Sequence, residues 1–299
     1  MSLIDLLISS QTALISITFI LGLLTGSFLN VVIYRVPVML QRDWRNQCRE
    51  FLELDEAQIK TAAPAAQFKV FNLLKPDSHC PYCGSSVRPW QNIPLLSFLL
   101  LRGKCASCKH RISARYPLVE LATAILSGLV AWKFGANWLT LALLFFTWSL
   151  IALTMIDFDH QLLPDNITLP LLWLGLLLST VDIGLGVSPA DAVIGAIAGY
   201  LVLWTVYQGF KLITGKEGMG YGDFKLLAML GAWMGWQSLL LIVILSSLVG
   251  AVVGIFLLIF LGRDKNIPLP FGPYLTGAGF IALLWGEQIS NLYLNFLVL

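Results

Sequence analysis

WLTLALLFFTWSLIALTMI, residues 138–156, runs straight into Asp157-Phe-Asp159-His160. Nineteen uncharged residues make a helix of about 28 Å at 1.5 Å per residue, close to the ~30 Å hydrocarbon core of a bilayer. This stretch therefore reads as a membrane-spanning helix with Asp157 at its polar edge. Working outward, seven more apolar runs flank it: about Thr12–Tyr34, Pro117–Trp132, Ile167–Val181, Ala190–Ile213, Phe224–Gly235, Gln237–Leu261 and Phe271–Trp285. The sixth of the eight, Phe224–Gly235, is short enough to be a half-span or a helix tilted into a cavity. Clusters of Gly, Pro, Asp and Asn separate the later runs. Of the 299 residues, 57% are hydrophobic and 12% charged, half the charge of an ordinary soluble domain, about 25%. The fold class is all-α: a polytopic integral membrane protein with about eight transmembrane helices.

Charge sets the orientation. Thirteen of the nineteen Lys and Arg lie between Arg35 and Arg115, against six acidic residues, leaving that stretch at +7. Basic loops face the cytoplasm, so the 35–115 segment is placed inside and the N-terminus outside. Alternation then puts the loops at 157–166, 214–225 and 262–270 inside as well, with Lys211, Lys216, Lys225, Arg263 and Lys265 in or beside them. Only Lys133 falls outside. No Lys or Arg precedes the first apolar run, so no cleavable signal peptide is expected. Cys48 to Phe71 reads as a short amphipathic helix followed by an Ala-rich linker.

The inside segment carries Cys80-Pro-Tyr-Cys83 and Cys105-Ala-Ser-Cys108. A two-residue gap lets both thiolates of a pair point at one ion, and two such pairs at this spacing resemble a zinc ribbon, with free thiols or a thioredoxin-like redox pair as the alternatives. Gly84 and Gly103 ease the turns. A reducing cytoplasm argues against disulfides. Four thiolates fill a tetrahedral site, so the zinc is structural. His79 and His110 adjoin the pairs as substitute ligands or plain loop histidines, and Cys48 is a spare thiol.

Carboxylates at a membrane edge are costly and point to function. Asp157 is one. Asp223 is the other, at the end of Gly218-Met-Gly220-Tyr-Gly222-Asp223, which opens the sixth apolar run. Gly220 and Gly222 let the backbone turn sharply and approach a bound peptide closely. Two acids from separate helices on one side of the membrane can form a dyad sharing a proton, one activating water and the other donating to a carbonyl. Blander roles compete: Asp223 as a helix cap, Asp165 as an N-cap after Pro164, and Glu120 as the buried partner of Arg115 or Lys109. A nucleotide-loop reading of the glycines fails, because such a loop follows a strand. No nucleic-acid partner is expected; the surroundings are membrane lipid.

In order, Gly26–Pro37, the two Cys pairs, Arg115–Glu120, Asp157-Phe-Asp159 and Gly220–Asp223 resemble the type IV prepilin leader peptidase/N-methyltransferases, GxGD membrane aspartyl peptidases, over essentially the whole chain. The resemblance implies cleavage of type IV prepilin and type II secretion pseudopilin leaders after a glycine. S-adenosylmethionine then methylates the new N-terminal residue, usually Phe. It implies Asp157 and Asp223 as the peptidase pair, the bacterial inner membrane as the location, and a link between the Cys segment and methylation. The chain divides accordingly into a first helix (1–34), the Cys segment (35–115) and a peptidase core (116–299). The surroundings of Gly103, Arg115 and Glu120 are placed near substrate or methyl donor. A GxGD peptidase without methyl transfer, a proton-coupled transporter and a non-enzymatic assembly platform stand as rivals.

Overall fold

The computed structural model describes residues 3–53, 70–181, 183–260, 262 and 269–297. Among these there is no extended strand; apart from two short 3₁₀ turns, the regular elements are α-helices. They are α1 (Leu3–Ser9), α2 (Gln11–Phe51), α3 (Leu96–Leu100), α4 (Arg115–Phe134), α5 (Trp138–His160), α6 (Asp165–Thr180), α7 (Pro189–Thr214), α8 (Tyr221–Met234), α9 (Leu239–Phe260) and α10 (Gly272–Leu297). Eight of them, α2 and α4–α10, coincide with the eight apolar runs. Among the described residues, five spans are long and apolar enough to cross a bilayer: α2, α4, α5, α7 and Trp236–Phe260. The chain is an integral membrane protein, and it divides into two compact units, Met1–Gly135 and Ala136–Leu299.

In the first unit, α2 and α4 form an antiparallel pair. Small residues set their closeness. A Cβ on Gly22 would stand 2.7 Å from the Ala124 Cα, and one on Gly26 2.7 Å from the Glu120 Cα. Gly22 and Gly26 are four apart, the small-xxx-small spacing that lets membrane helices touch along their backbones. Asn30 Nδ2 donates to the Tyr116 carbonyl at one end of the pair, and Gln11 Nε2 to that of Trp132 at the other. At 41 residues, α2 is about 60 Å long, twice a bilayer, and continues past the expected end near Tyr34. Pro37 does not break it, and from Val38 to Phe51 there is no Gly or Pro to stop it. Cys48–Phe51 thus belongs to α2 and forms no separate helix; the expected linker falls at 54–69, outside the described residues.

In the second unit, α8 is the core. Every residue from Asp223 to Met234 except Lys225 is buried. A helix of 14 residues, about 21 Å, is too short to span but can be wrapped by longer ones. Gly195 and Gly199 of α7 press on its backbone, Gly195 against the Gly231 carbonyl and Gly199 against that of Leu227. Trp233 Nε1 donates to the Leu171 carbonyl at 2.8 Å, holding α6. At one end of the unit lie the α5–α6 turn, the α7–α8 loop and the start of α10, tied by Lys225–Asp165 and Gly272–Asp157. At the other, Trp236 Nε1 donates to Asp191 at 2.8 Å.

Candidate active site and metal centre

Asp157 sits in the last turn of α5, which ends at Gln161 in a left-handed conformation. It is 5% exposed. Its Oδ2 accepts the main-chain N–H of Gly272, the first residue of α10, at 3.0 Å. A Cβ on Gly272 would lie 2.6 Å from that same oxygen, so only glycine brings its N–H this close without pushing the carboxylate aside. One turn back, Thr154 Oγ1 and Thr276 Oγ1 are 2.7 Å apart. That pair ties α5 to α10 beneath the acid.

Asp223 is 7% exposed and occupies the third position of α8, after an N-cap at Gly220. It is therefore not the cap residue. A negative charge in a first helical turn is favoured by the helix dipole. Its carboxylate is within electrostatic reach of Asp157. Leu163 lies between the two sites: it is 2.8 Å from where a Gly222 Cβ would be and 3.3 Å from where a Gly272 Cβ would be. The two predicted acids are thus brought together, buried, at one end of one unit.

The loop glycines act differently from the sequence expectation. None of Gly218, Gly220 and Gly222 has a positive φ; Gly220 is extended at φ −81°, ψ 148°. Their contribution is space. Gly218 makes room for Phe210, and Gly222 for Leu163, each with a would-be Cβ contact of 2.8 Å. Around Gly220 the nearest atom is Asp223 Oδ2 at 3.9 Å, leaving open room in front of the acid. The loop is anchored to α7 by Lys211, whose Nζ contacts Glu217 at 2.8 Å and the Tyr207 hydroxyl at 3.3 Å.

The neighbouring acids separate from the pair. Asp159 is exposed. Asp165 is the first residue of α6, whose N-cap is Pro164 without a side-chain cap. The cap reading thus fails; its carboxylate instead pairs with Lys225 at 2.6 Å. Glu120 is buried, accepts the Leu95 N–H at 2.8 Å and lies against the Ser27 hydroxyl. Its partners are these rather than Arg115 or Lys109. Leu95 has φ 56°, unusual for a bulky residue, so the Glu120 contact holds a strained loop. Gly103 has φ +65° and lies 3.0 Å (by its would-be Cβ) from the Phe98 ring. Arg115 opens α4. Arg35, which the sequence marks only as the start of the basic segment, is buried and donates to the Asn72 and Pro76 carbonyls at 2.8 and 2.5 Å.

The four cysteines converge in the first unit. Cys80, Cys83, Cys105 and Cys108 place their sulfurs within 4.8 Å of one another, with Cys80 and Cys108 3.8 Å apart. Zn–S bonds of about 2.3 Å in a tetrahedron require sulfurs about 3.8 Å apart, so the set fits zinc. The two knuckles repeat one design. Isolated bridges His79↔Ser86 and Lys104↔Arg111 close them, and Gly84 and Lys109 take the same left-handed position at φ 70° and 60°. The glycine of the second turn is therefore replaced by Lys109, and Gly103 makes a separate turn just before it. Main-chain N–H groups of Cys108 and Ser107 hold the Cys105 thiol down to about 6, the ionised form a metal needs. The histidines are engaged elsewhere: His79 Nδ1 contacts the Asp77 carbonyl, and His110 stacks on Tyr82.

Gly272, Leu163 and the Thr154–Thr276 pair are the residues sequence reasoning missed. The only trace of them is the Gly272-Pro273 start of the last apolar run; nothing links it to an aspartate 115 residues earlier.

Residues 20–134 match the bacterial peptidase A24 N-terminal domain and residues 144–255 the type IV leader peptidase family. Similar proteins include prepilin leader peptidase/N-methyltransferases of Stutzerimonas stutzeri (57% identical over 99% of both chains), Pseudomonas aeruginosa (56% over 99%) and Neisseria gonorrhoeae (51% over 95%). No solved structure matches the chain significantly. With identity above one half along almost its whole length, the chain belongs to the type IV leader peptidase family, among the prepilin leader peptidase/N-methyltransferases.

Proposed function

We propose that this protein cleaves the leaders of type IV prepilins and type II secretion pseudopilins after a glycine, then methylates the new N-terminal residue, usually Phe, from S-adenosylmethionine. The observation that carries the peptidase reading is the buried pairing of Asp157 and Asp223, with Gly272 N–H on one carboxylate. The printed names of its relatives support the two activities.

Asp157 and Asp223 are the peptidase dyad. Two buried carboxylates within electrostatic reach of each other disfavour double ionisation, so the pair holds one proton between them. The ionised member takes a proton from water as the water attacks the scissile carbonyl. The neutral member donates to the carbonyl oxygen. With its N–H committed to Oδ2 of Asp157, Gly272 fixes that oxygen and leaves Oδ1 for water. Gly220 leaves room for the peptide backbone. Cys80, Cys83, Cys105 and Cys108 would hold one structural zinc, which closes the loop and leaves no ligand position open for chemistry.

Methyl transfer needs only a neutral amine held in line with a sulfonium methyl, so proximity is its main resource. We place it with the 35–115 segment, near Gly103, Arg115 and Glu120, and the peptide chemistry with residues 116–299. The catalytic end faces the cytoplasm of a bacterial inner membrane, with the N-terminus periplasmic, a reading that the Lys and Arg distribution supports. Purified protein incubated with a prepilin should release the leader and leave a methylated N-terminus, read by mass spectrometry. Release without methylation would reduce the activity to a peptidase. Proton flux without release would favour transport.

A further inference from the structure

Between the two Cys pairs, residues 93–101 read Ile-Pro-Leu-Leu-Ser-Phe-Leu-Leu-Leu. Nothing in this run is charged, yet it is not a core. Of residues 91–101 only Pro94 is buried, and Ile93, Leu96, Leu99 and Leu100 are 45–70% exposed. A cluster of large apolar side chains turned outward marks a contact surface.

Three observations point to what covers it. The first is depth. The Leu95 N–H donates to Glu120, and the same carboxylate meets the Ser27 hydroxyl. Glu120 lies five residues, about 7 Å, inside α4 from Arg115, and Ser27 lies eight residues, about 12 Å, inside α2 from Arg35. The run is therefore held below the charged ends of two helices long and apolar enough to cross a bilayer. The second is the main chain. Leu95 (φ 56°) and Arg102 (φ 53°) turn it sharply on either side of α3. The N–H groups of Ser97, Leu99, Leu101 and Gly103 reach the carbonyls of Ile93, Leu95, Ser97 and Phe98. Backbone at membrane depth must find its partners within the protein, and these groups do. The third is charge. From Ser78 to Val119 there are six basic residues and no acidic one. Four thiolates on one zinc ion carry −2, so the stretch stays positive with the metal in place. Arg88 and Arg102 bracket the apolar run and are exposed, as suits the headgroups of an anionic leaflet.

We propose that Ile93–Leu101 is a re-entrant wedge, inserted into the leaflet on the side of the Cys module. Ile93, Leu96, Leu99 and Leu100 lie against acyl chains, and Arg88 and Arg102 lie among the headgroups. Lipid then holds the module from below, in addition to the grip of Arg35 on Asn72 and Pro76 and of Glu120 on Leu95. Gly103, two residues beyond Leu101, stands at headgroup depth, where a chain leaving the bilayer emerges.

The test is fluorescence quenching on the full chain in vesicles of phosphatidylethanolamine and phosphatidylglycerol. A fluorescent amino acid is placed by codon suppression at Leu96 or at Leu99, and the two are read separately so that disturbance by one label does not decide the result. Ile20 in the middle of α2, 57% exposed, marks lipid, and Ser107, exposed in the second knuckle, marks water. Bromines on the acyl chains about 5–10 Å below the headgroups, the depth that apolar interfacial segments reach, should lower emission from Leu96 and Leu99 about twofold or more. They should do the same at Ile20 and leave Ser107 unchanged. Iodide in the aqueous phase should quench Ser107 alone. Iodide quenching at Leu96 or Leu99 equal to that at Ser107 puts the run in water and overturns the proposal. Quenching by neither agent means that protein covers the run, which overturns it as well.

Discussion

At the residue scale the account turns on which atoms touch Asp157 and Asp223. Asparagine at either position keeps the shape but can neither activate water nor hold the shared proton. Asp157→Asn and Asp223→Asn should each lower prepilin cleavage by about 10²–10⁴-fold or more while the protein stays folded, as read by thermal unfolding in detergent. Asp165→Asn should do far less, because its carboxylate meets Lys225 near the surface. The glycines give a sharper contrast. Gly222→Ala forces a methyl to 2.8 Å from Leu163, and overpacking of that kind costs about 1–3 kcal/mol. Gly220→Ala meets nothing closer than 3.9 Å and takes a backbone that alanine accepts. It should fold normally and still lose cleavage, because its methyl occupies the space in front of Asp223. Equal loss of stability in the two variants would contradict the roles assigned to them. Asp157 and Asp223 were legible in the sequence because acids that end or open apolar runs have few structural uses. Gly272 was not, because its contact is made by a main-chain N–H, and every residue has one except proline.

At the element scale, length and hydropathy located all eight helices, α2 and α4–α10, and misplaced the end of one. Helix α8 looked like an incomplete span; it is short because it is surrounded, and its start delivers Asp223. Helix α2 looked as if it ended near Tyr34, because charge begins at Arg35. Arg35 is nevertheless buried, with its guanidinium on two loop carbonyls, and charged residues beyond it are good helix formers. The Cys module was the most legible element, since ligand spacing is a local property. Purified protein should carry about one zinc per chain, and Cys→Ser at any of positions 80, 83, 105 or 108 should lower that content and loosen the segment in limited proteolysis. Zinc takes its cysteine ligands as thiolates, so protons compete with it for all four sulfurs. Zinc should be retained at neutral pH and begin to leave as the pH is lowered, followed with a chromogenic chelator. Active protein free of zinc would remove the structural role.

At the scale of the whole molecule, the question is which side of the membrane each loop faces. In the second unit the 161–164 turn, the 215–220 loop and the start of α10 gather at one end, and the Asp191–Trp236 contact lies at the other. Reporters fused within residues 35–115, near 160 and near 217 should therefore all read cytoplasm, and one near 186 periplasm. Opposite readings at 160 and 217 would separate the acids. The two reactions should also separate. A pilin supplied already cleaved, with a free N-terminal Phe, should still be methylated by Asp223→Asn, while bulky replacements at Gly103, which needs its φ of +65°, should harm methylation more than cleavage. The methyl-donor pocket left only a regional trace, around Gly103, Arg115 and Glu120, because such pockets are built from main-chain groups and scattered side chains without a fixed spacing. The most direct measurement is the mass of a prepilin N-terminus after incubation with the purified enzyme and with Asp223→Asn. The account predicts a leaderless, methylated N-terminus from the first and an intact leader from the second; cleavage by Asp223→Asn at the rate of the unchanged enzyme would contradict it.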